Sequence, residues 1–330
     1  MRRGFTLVEL LVSMAMLSVV SVYLTQMLVQ QNRAYSVVDQ ITEIQNNTRA
    51  IASLMEQEAR GTGLMVPESA AVCGIDQSNG PDLLYLTDSD AMRFESAGAG
   101  VAGPGSGYGA QVVGALALGI GTVTAVVDDV VIDGGAYYDT TGDGVTDADF
   151  QLNGGAIIVD ASNAERGSAC GVVRAVDTVG KRLTIDVEST LAAGAGGSLV
   201  IVPAHRYALS AQGQLTRNGV VLAEDVEDLQ FALFYDDDGD GVMDAANLEY
   251  PGGVNATGAG PLYVSGDWNN EELREIRFGF VVRSRMEDLN GPRGTFQVLE
   301  GTNRQPVAGV DGFRRRAYTA VVRPRNVGRF

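Results

Sequence analysis

Hydrophobic positions along this chain fall into three regimes. In the first, an apolar run starting at Phe5 holds one carboxylate, Glu9, and from Leu10 to Asn32 there is no Asp, Glu, Lys or Arg. At about 1.5 Å per residue those positions span roughly 34 Å as a helix, enough for a hydrocarbon core of about 30 Å. A carboxylate at the start of such a segment is costly unless it is paired or reaches the interface, which makes Glu9 a candidate functional residue. The second regime continues the helix. Neither Gly nor Pro occurs from Phe5 to Arg60, so the pattern predicts one helix about 80 Å long. Its second half carries a stripe at Val37, Ile41, Ile44, Thr48, Ile51 and Met55, spaced alternately four and three residues apart, with Asp39, Glu43, Arg49 and Glu56 off it. Such spacing predicts packing against the chain's own core. Gly61-Thr62-Gly63 ends the helix.

The third regime, after Pro67, is β-like. Short apolar runs separated by Gly, Asp, Asn and Ser predict strands at Leu83 to Thr87, Gln111 to Leu118, Thr122 to Val131, Ala156 to Asp160, Gly171 to Val176 and Arg182 to Val187. Further strands are predicted at Ser198 to Pro203, Tyr207 to Ser210, Val226 to Tyr235, Glu275 to Ser284 and Ala317 to Arg323. Alternation within Asp228 to Tyr235 and Arg277 to Arg283 argues for half-buried antiparallel strands. The expected fold is therefore α+β, a long helix whose N-terminal half is hydrophobic and whose C-terminal half packs on an antiparallel β-sheet head over residues 61–330. Gly98 to Gly109 is a low-complexity loop.

Charge narrows the partners. The formal net charge of the 330 residues is -17, so a phosphate backbone is repelled over most of the surface and no nucleic-acid partner is expected. Abundant glycine, 42 residues, favours a loop-rich β architecture. The two cysteines, Cys73 and Cys170, leave two readings open: a bridge, which would constrain the unfolded chain by about 4 to 5 kcal/mol, or two separate buried thiols. His205 is the only histidine and no C-x-x-C pair is present, which disfavours a zinc site.

The chain opens Met1-Arg2-Arg3-Gly4-Phe5-Thr6-Leu7-Val8-Glu9-Leu10, and the segment after Tyr23, Leu24 to Arg33, stays helix-compatible and lacks the small-residue cleavage site that would follow the apolar region of an ordinary signal peptide. Gly4 to Leu10 instead resembles the prepilin cleavage motif of type IV pilins and type II secretion pseudopilins. The resemblance implies a leader of residues 1–4 removed after Gly4 by prepilin peptidase, N-methylation of Phe5, and a transmembrane and assembly helix over residues 5–60. It also implies that Glu9 offsets the N-terminal ammonium of a neighbouring subunit; two opposite charges are tolerable together in a low-dielectric bundle and costly apart. Thr48 to Gly63, Val226 to Phe231, Ile276 to Ser284 and Arg315 to Asn326 are similar to segments of PilW-type minor pilins. That resemblance implies an inner-membrane precursor built into a pilus, with other pilins and minor pilins as partners and a PilY-type tip adhesin in its vicinity. These segments overlap with a GspJ-like pseudopilin of type II secretion, and the stretch from about Gly98 to Ala211 has no counterpart in either.

Two acidic loops, over residues 139–150 and 236–249, add a candidate cofactor. Asp139, Thr141, Asp143, Val145 and Asp147 in one, and Asp236, Asp238, Asp240, Val242 and Asp244 in the other, follow the front half of an EF-hand-like calcium loop with Gly at the sixth position. The bidentate Glu of position twelve is missing, its place held by Phe150 or Asn247. The alternative is a solvated Asp/Gly turn. A membrane-tethered calcium-dependent adhesion module is the reading from another class. Catalysis is not expected: Gly98-Ala99-Gly100-Val101-Ala102-Gly103 is followed by Pro104 rather than a helix, and no nucleophile motif accompanies His205.

Overall fold

The computed structural model describes residues 6–63, 66, 68–75, 77, 80–87, 109–128, 130, 150–163, 166–191, 197–236, 273–288, 294–295 and 310–327. The chain begins with helix α1, Leu7–Gly61. Thr6 is its N-cap in an extended conformation, and Thr6 and Glu9 form a reciprocal capping box. From Thr6 to Ser36 every residue is exposed; the buried positions start at Ile44 and continue through Thr48, Ile51, Ala52, Met55 and Ala59. The stripe thus packs on the chain's own core from Ile44 onward, and its first members stay out: Val37 is half-buried and Ile41 exposed.

Strands follow at β1 (Val72–Ile75), β2 (Leu83–Thr87), β3 (Ala110–Gln111), β4 (Gly121–Val126), β5 (Gly155–Asp160), β6 (Ser168–Asp177), β7 (Arg182–Val187) and β8 (Leu199–Leu209). The remaining strands are β9 (Leu215–Arg217), β10 (Val220–Ala223), β11 (Val226–Tyr235), β12 (Leu273–Arg283), β13 (Gly294–Thr295), β14 (Val310–Asp311) and β15 (Arg315–Val322). The large sheet runs β1-β2-β8-β5-β6-β7-β4, with β3 and β9 also on β8 and β10 on β9; a second sheet runs β11-β12-β15. Every pairing among the described residues is antiparallel. Asp82 joins the sheets: its N–H donates to the Leu229 carbonyl at 2.8 Å, and its carboxylate accepts from Phe231 N–H at 3.1 Å. The pilin-like arrangement of a long apolar helix on an antiparallel β head is therefore present.

The large sheet also closes on itself. Val112 bridges Val127, Val113 N–H donates to Val126 O at 2.8 Å, and Asp128 N–H to Gln111 O at 2.9 Å. β4 thereby returns to β3, and β3, β8, β5, β6, β7 and β4 form a small barrel among the described residues. Its interior is a core of its own, including Ala125, Val127, Phe150, Ala156, Ile158, Val173, Leu183, Ile185, Val187 and Ile201. Ile157, Val159, Cys170, Val200 and Val202 belong instead to the larger core that contains the helix stripe and the three-stranded sheet. β5 is buried at all six positions, which is why Gly155-Ala-Ile-Ile-Val159 is a continuous apolar run without alternation. Gly171 of β6 lies opposite Val187 of β7; a Cβ there would lie 2.4 Å from Asp186 O, so glycine fits this close approach.

Several sequence expectations are corrected. The segment predicted as a strand from Gln111 to Leu118 pairs regularly only at Ala110–Gln111; Gly114, at φ +86°, turns the chain away after the barrel closes. The predicted strand from Thr122 ends at Val126. The predicted strands on either side of Ala204 are one strand, β8, running through Pro203. Pro203 pairs with Ala156 on one side, while on the other β3 reaches only Ile201 and β2 starts at Ala204. Its missing N–H therefore falls at a junction between neighbours. β1, the β9–β10 hairpin and the β13–β14 pair are additional. The loop at 98–108 lies outside the described residues.

Candidate functional site

Glu9 opens the exposed helix. Its Oε2 accepts from Thr6 N and from Thr6 Oγ1, both at 2.9 Å, and Thr6 Oγ1 accepts from Glu9 N at 3.3 Å. The carboxylate holds donors that a helix start leaves unpaired. Behind it the apolar side chains are presented on all sides: Leu10, Leu11, Met14, Leu17, Val20, Leu24 and Leu28 are among those exposed. A helix apolar all round needs cover from lipid or from other helices. The hydroxyls in this stretch suit that setting. Ser13, Ser18 and Thr25 donate back to the carbonyls of Leu10, Ala15 and Ser21 at 2.9, 2.7 and 2.8 Å, so they bring no unpaired donor into an apolar environment. Among the described residues this is one helix long and apolar enough to cross a membrane. Gly4 and Phe5 lie outside the described residues.

At its other end the helix is wedged between the two sheets. Glu56 and Glu58 lie two residues apart, about 200° round the helix, and each takes a tyrosine: Tyr318 of β15 donates to Glu56 Oε1, and Tyr207 of β8 donates to Glu58 Oε2 at 2.6 Å. Arg217 of β9 pairs with Glu58 Oε1 at 2.6 Å. His205 Nε2 lies 2.6 Å from Arg217 Nη2, and His205 Nδ1 lies 3.1 Å from Asn218 Nδ2. The single histidine is thus a buried mid-strand member of a polar cluster at the end of the helix. Burial pushes the Tyr207 hydroxyl pKa well up, and the nearby Glu58 charge and its hydrogen bond add to this. The hydrogen bond to Glu56, then burial, pushes Tyr318 up to about 12.

The C-terminal segment closes the helix end. Arg325 N donates to Arg60 O at 3.2 Å, and Asn326 Nδ2 to Gly61 O at 3.1 Å, satisfying carbonyls that a helix terminus leaves open. Cys73 of β1 and Cys170 of β6 are bridged, with Cα atoms 6.1 Å apart. Of the two readings open from sequence, the bridge is the one present. It ties the strand just after the helix to the barrel wall.

Of the acidic loops, Asp236 alone among the ten candidate ligands is described. Its buried carboxylate accepts from Arg274 Nε through Oδ2 at 2.9 Å. Phe150, at position twelve of the other loop, is in the barrel core. Asp139, Thr141, Asp143, Val145, Asp147, Asp238, Asp240, Val242 and Asp244 lie outside the described residues.

Glu56, Glu58, Tyr207, Arg217 and Tyr318 were not among the sequence-level candidates. A signal existed: Glu56 and Glu58 flank the buried Met55 and Ala59, so carboxylates there sit beside the core. Their partners lie 262 and 149 residues away, beyond any local pattern.

Residues 1–25 match the prokaryotic N-terminal methylation motif. No curated protein and no solved structure matches the chain. The motif, the long apolar helix and the β head support the class of type IV pilin-like proteins, pilin or pseudopilin, for this chain. Processing by prepilin peptidase, assembly with other pilins and a membrane-anchored precursor belong to that class.

Proposed function

We propose that this chain is a minor pilin of a type IV pilus, of the PilW type. It is held in the inner membrane by the first half of α1 and then built into the filament near its tip. There it primes assembly with other minor pilins and supports a PilY-type adhesin. The observation that carries the reading is the methylation motif joined to a helix exposed on every side from Thr6 to Ser36. That is about 45 Å of largely apolar rod projecting from a folded head, which needs lipid before assembly and neighbouring helices after it. Glu9, at the tip of the rod, exchanges its local partner Thr6 for the N-terminal ammonium of the next subunit. The Glu56 and Glu58 contacts set the angle between rod and head.

Calcium is a secondary part of this proposal. In the second acidic loop Asp238, Asp240, Asp244 and the Val242 carbonyl supply donors, while Asp236 anchors the loop to Arg274. The crowding of these carboxylates in sequence supports the reading.

The test is fractionation. The protein appears in sheared pili of cells that make the major pilin and disappears from that fraction when the major pilin is deleted. Its persistence there would contradict a pilus role and point to a pseudopilus of type II secretion.

A further inference from the structure

Charge is segregated along this acidic chain. Residues 273–330 hold twelve arginines against five carboxylates, a balance of +7, so the preceding residues carry -24 of the total -17. The basic part includes β12 and β15, and β15 is an edge. Over its eight residues it pairs with β12 in unbroken register from Arg283↔Arg315 to Ile276↔Val322, with no bulge. Among the described residues no strand pairs with its other side. Long regular edges of this kind are usually blunted, because their free N–H and C=O groups template a further strand.

The side chains say what the edge admits. Ala317, Thr319 and Val321 are exposed, Val321 at 55%, and arginines bracket them: Arg316 before, Arg323 and Arg325 after, all exposed. Arg323 reaches Glu275 at 3.1 Å across the sheet while its side chain stays 80% exposed. Arg314 and Arg315 are held by Asp288, Glu227 and Asp311, but two copies of β15 laid antiparallel would bring the exposed Arg316 of one up to Arg323 and Arg325 of the other, and like charges facing across a ladder repel. Self-pairing is therefore disfavoured. An extended segment bearing carboxylates meets the same arginines favourably, with small apolar contacts at its centre and charge at its rim.

We propose that the β15 edge is a strand-addition site for an acidic extended segment of a neighbouring pilin-like subunit. The partner adds to the β11-β12-β15 sheet through main-chain hydrogen bonds, and Arg316 and Arg323 select its carboxylates. This rests on the filament reading for the identity of the partner, not for the existence of the site. The site lies on the sheet that carries Tyr318, so an added strand would be fixed relative to α1 through the Tyr318–Glu56 contact.

The test uses the full chain in detergent micelles and a fluorescein-labelled peptide of alternating Glu and Thr/Val, read by anisotropy. Three controls accompany it: the same peptide with Lys for Glu, the acidic peptide N-methylated on alternate residues to block the ladder, and the variant Arg316→Glu/Arg323→Glu. The expected result is binding of the acidic peptide alone, weakened at least tenfold by the double variant and by raised salt. Equal binding of the Lys peptide or of the N-methylated peptide, unchanged binding by the variant, or no binding at all overturns the proposal. Circular dichroism checks that the variant is folded, and Thr319→Pro provides a second way to block the ladder with the arginines in place. N-terminal processing, measured on the same samples, does not involve β15. A failed peptide assay with normal processing overturns only this proposal, whereas failed processing overturns the filament reading.

Discussion

Tyr207 donates its hydroxyl to Glu58 at 2.6 Å, joining the central strand of the large sheet to the end of the long helix. The contact is part of a cluster, since Arg217 holds the other oxygen of the same carboxylate. Tyr207→Phe removes one hydrogen bond to a charged group and is expected to cost about 1.5 to 3 kcal/mol. Glu58→Ala is expected to cost more, because it leaves Arg217 beside His205 without its carboxylate. Denaturant unfolding of the full chain in micelles measures both, and a smaller loss for Glu58→Ala than for Tyr207→Phe would contradict the cluster.

Alkaline pH tests the same anchorage from the other side of the helix. Tyr318, hydrogen-bonded to Glu56 and partly buried, has its pKa pushed up to about 12, whereas an unfolded tyrosine ionises near 10. Above pH 10 the unfolded chain loses a proton that the folded chain retains. The contribution of Tyr318 is therefore complete below about pH 10 and is lost as pH rises from there to about 12. Burial pushes Tyr207 and Tyr85 in the same direction. Melting temperatures are expected to fall above about pH 10, and less steeply in Tyr318→Phe than in the parent. An identical slope would show that the hydroxyl does not contribute.

The Cys73–Cys170 bridge closes 97 residues, for which the chain-entropy model gives about 4 to 5 kcal/mol. Thiol labelling under denaturing, non-reducing conditions should find no free cysteine in protein from an oxidising compartment. Reduction should lower the unfolding midpoint, and the Cys73→Ser/Cys170→Ser variant should match the reduced protein. Two labelled thiols before reduction would contradict the bridge.

The close approach of β6 to β7 makes Gly171 sensitive. Gly171→Val forces side-chain atoms against the Asp186 carbonyl and Ile185, and overpacking of this kind costs about 1 to 3 kcal/mol. Gly114, where a Cβ meets nothing, has φ +86°, so Gly114→Ala is expected to cost less, about 1 kcal/mol, through backbone strain alone. Thermal melts compare the two, and equal losses would contradict the close approach of β6 to β7 at Gly171.

How much of this was legible in the sequence follows from the range of each interaction. Ile44, Thr48, Ile51 and Met55 declared their face because helical spacing is local, and β2, β7 and β11 have the predicted bounds because apolar runs between turn residues are local too. β1 was missed because Val72-Cys-Gly-Ile75 is short, buried throughout and not alternating. β8 was split because Pro203 reads as a strand end, and its tolerance depends on where β3 stops and β2 starts. The barrel could not be read at all. Its closure rests on backbone bonds between residues 111–113 and 126–128, which no side-chain pattern encodes. For the functional helix the sequence was nearly sufficient, since Thr6, Glu9 and the uncharged run are contiguous.

Calcium binding is tested by melts in millimolar calcium, magnesium or chelator. About a hundredfold excess over Kd should stabilise by roughly 2.7 kcal/mol per site, with affinity on the order of the 10⁻⁴ to 10⁻³ M of extracellular modules. Asp240→Ala should abolish the response of the second loop. Asp236→Asn should destabilise the head without calcium, because it breaks the pair with Arg274. An unchanged melting temperature in calcium would make both loops ordinary acidic turns.

The most direct measurement is mass spectrometry of the N-terminus in cells with active prepilin peptidase, combined with filament fractionation of Glu9→Ala. The account predicts cleavage after Gly4, a methylated Phe5 amine, and a folded Glu9→Ala protein that stays in the membrane fraction and is lost from filaments. Recovery of an intact Met1 terminus, or normal filament incorporation of Glu9→Ala, would contradict it.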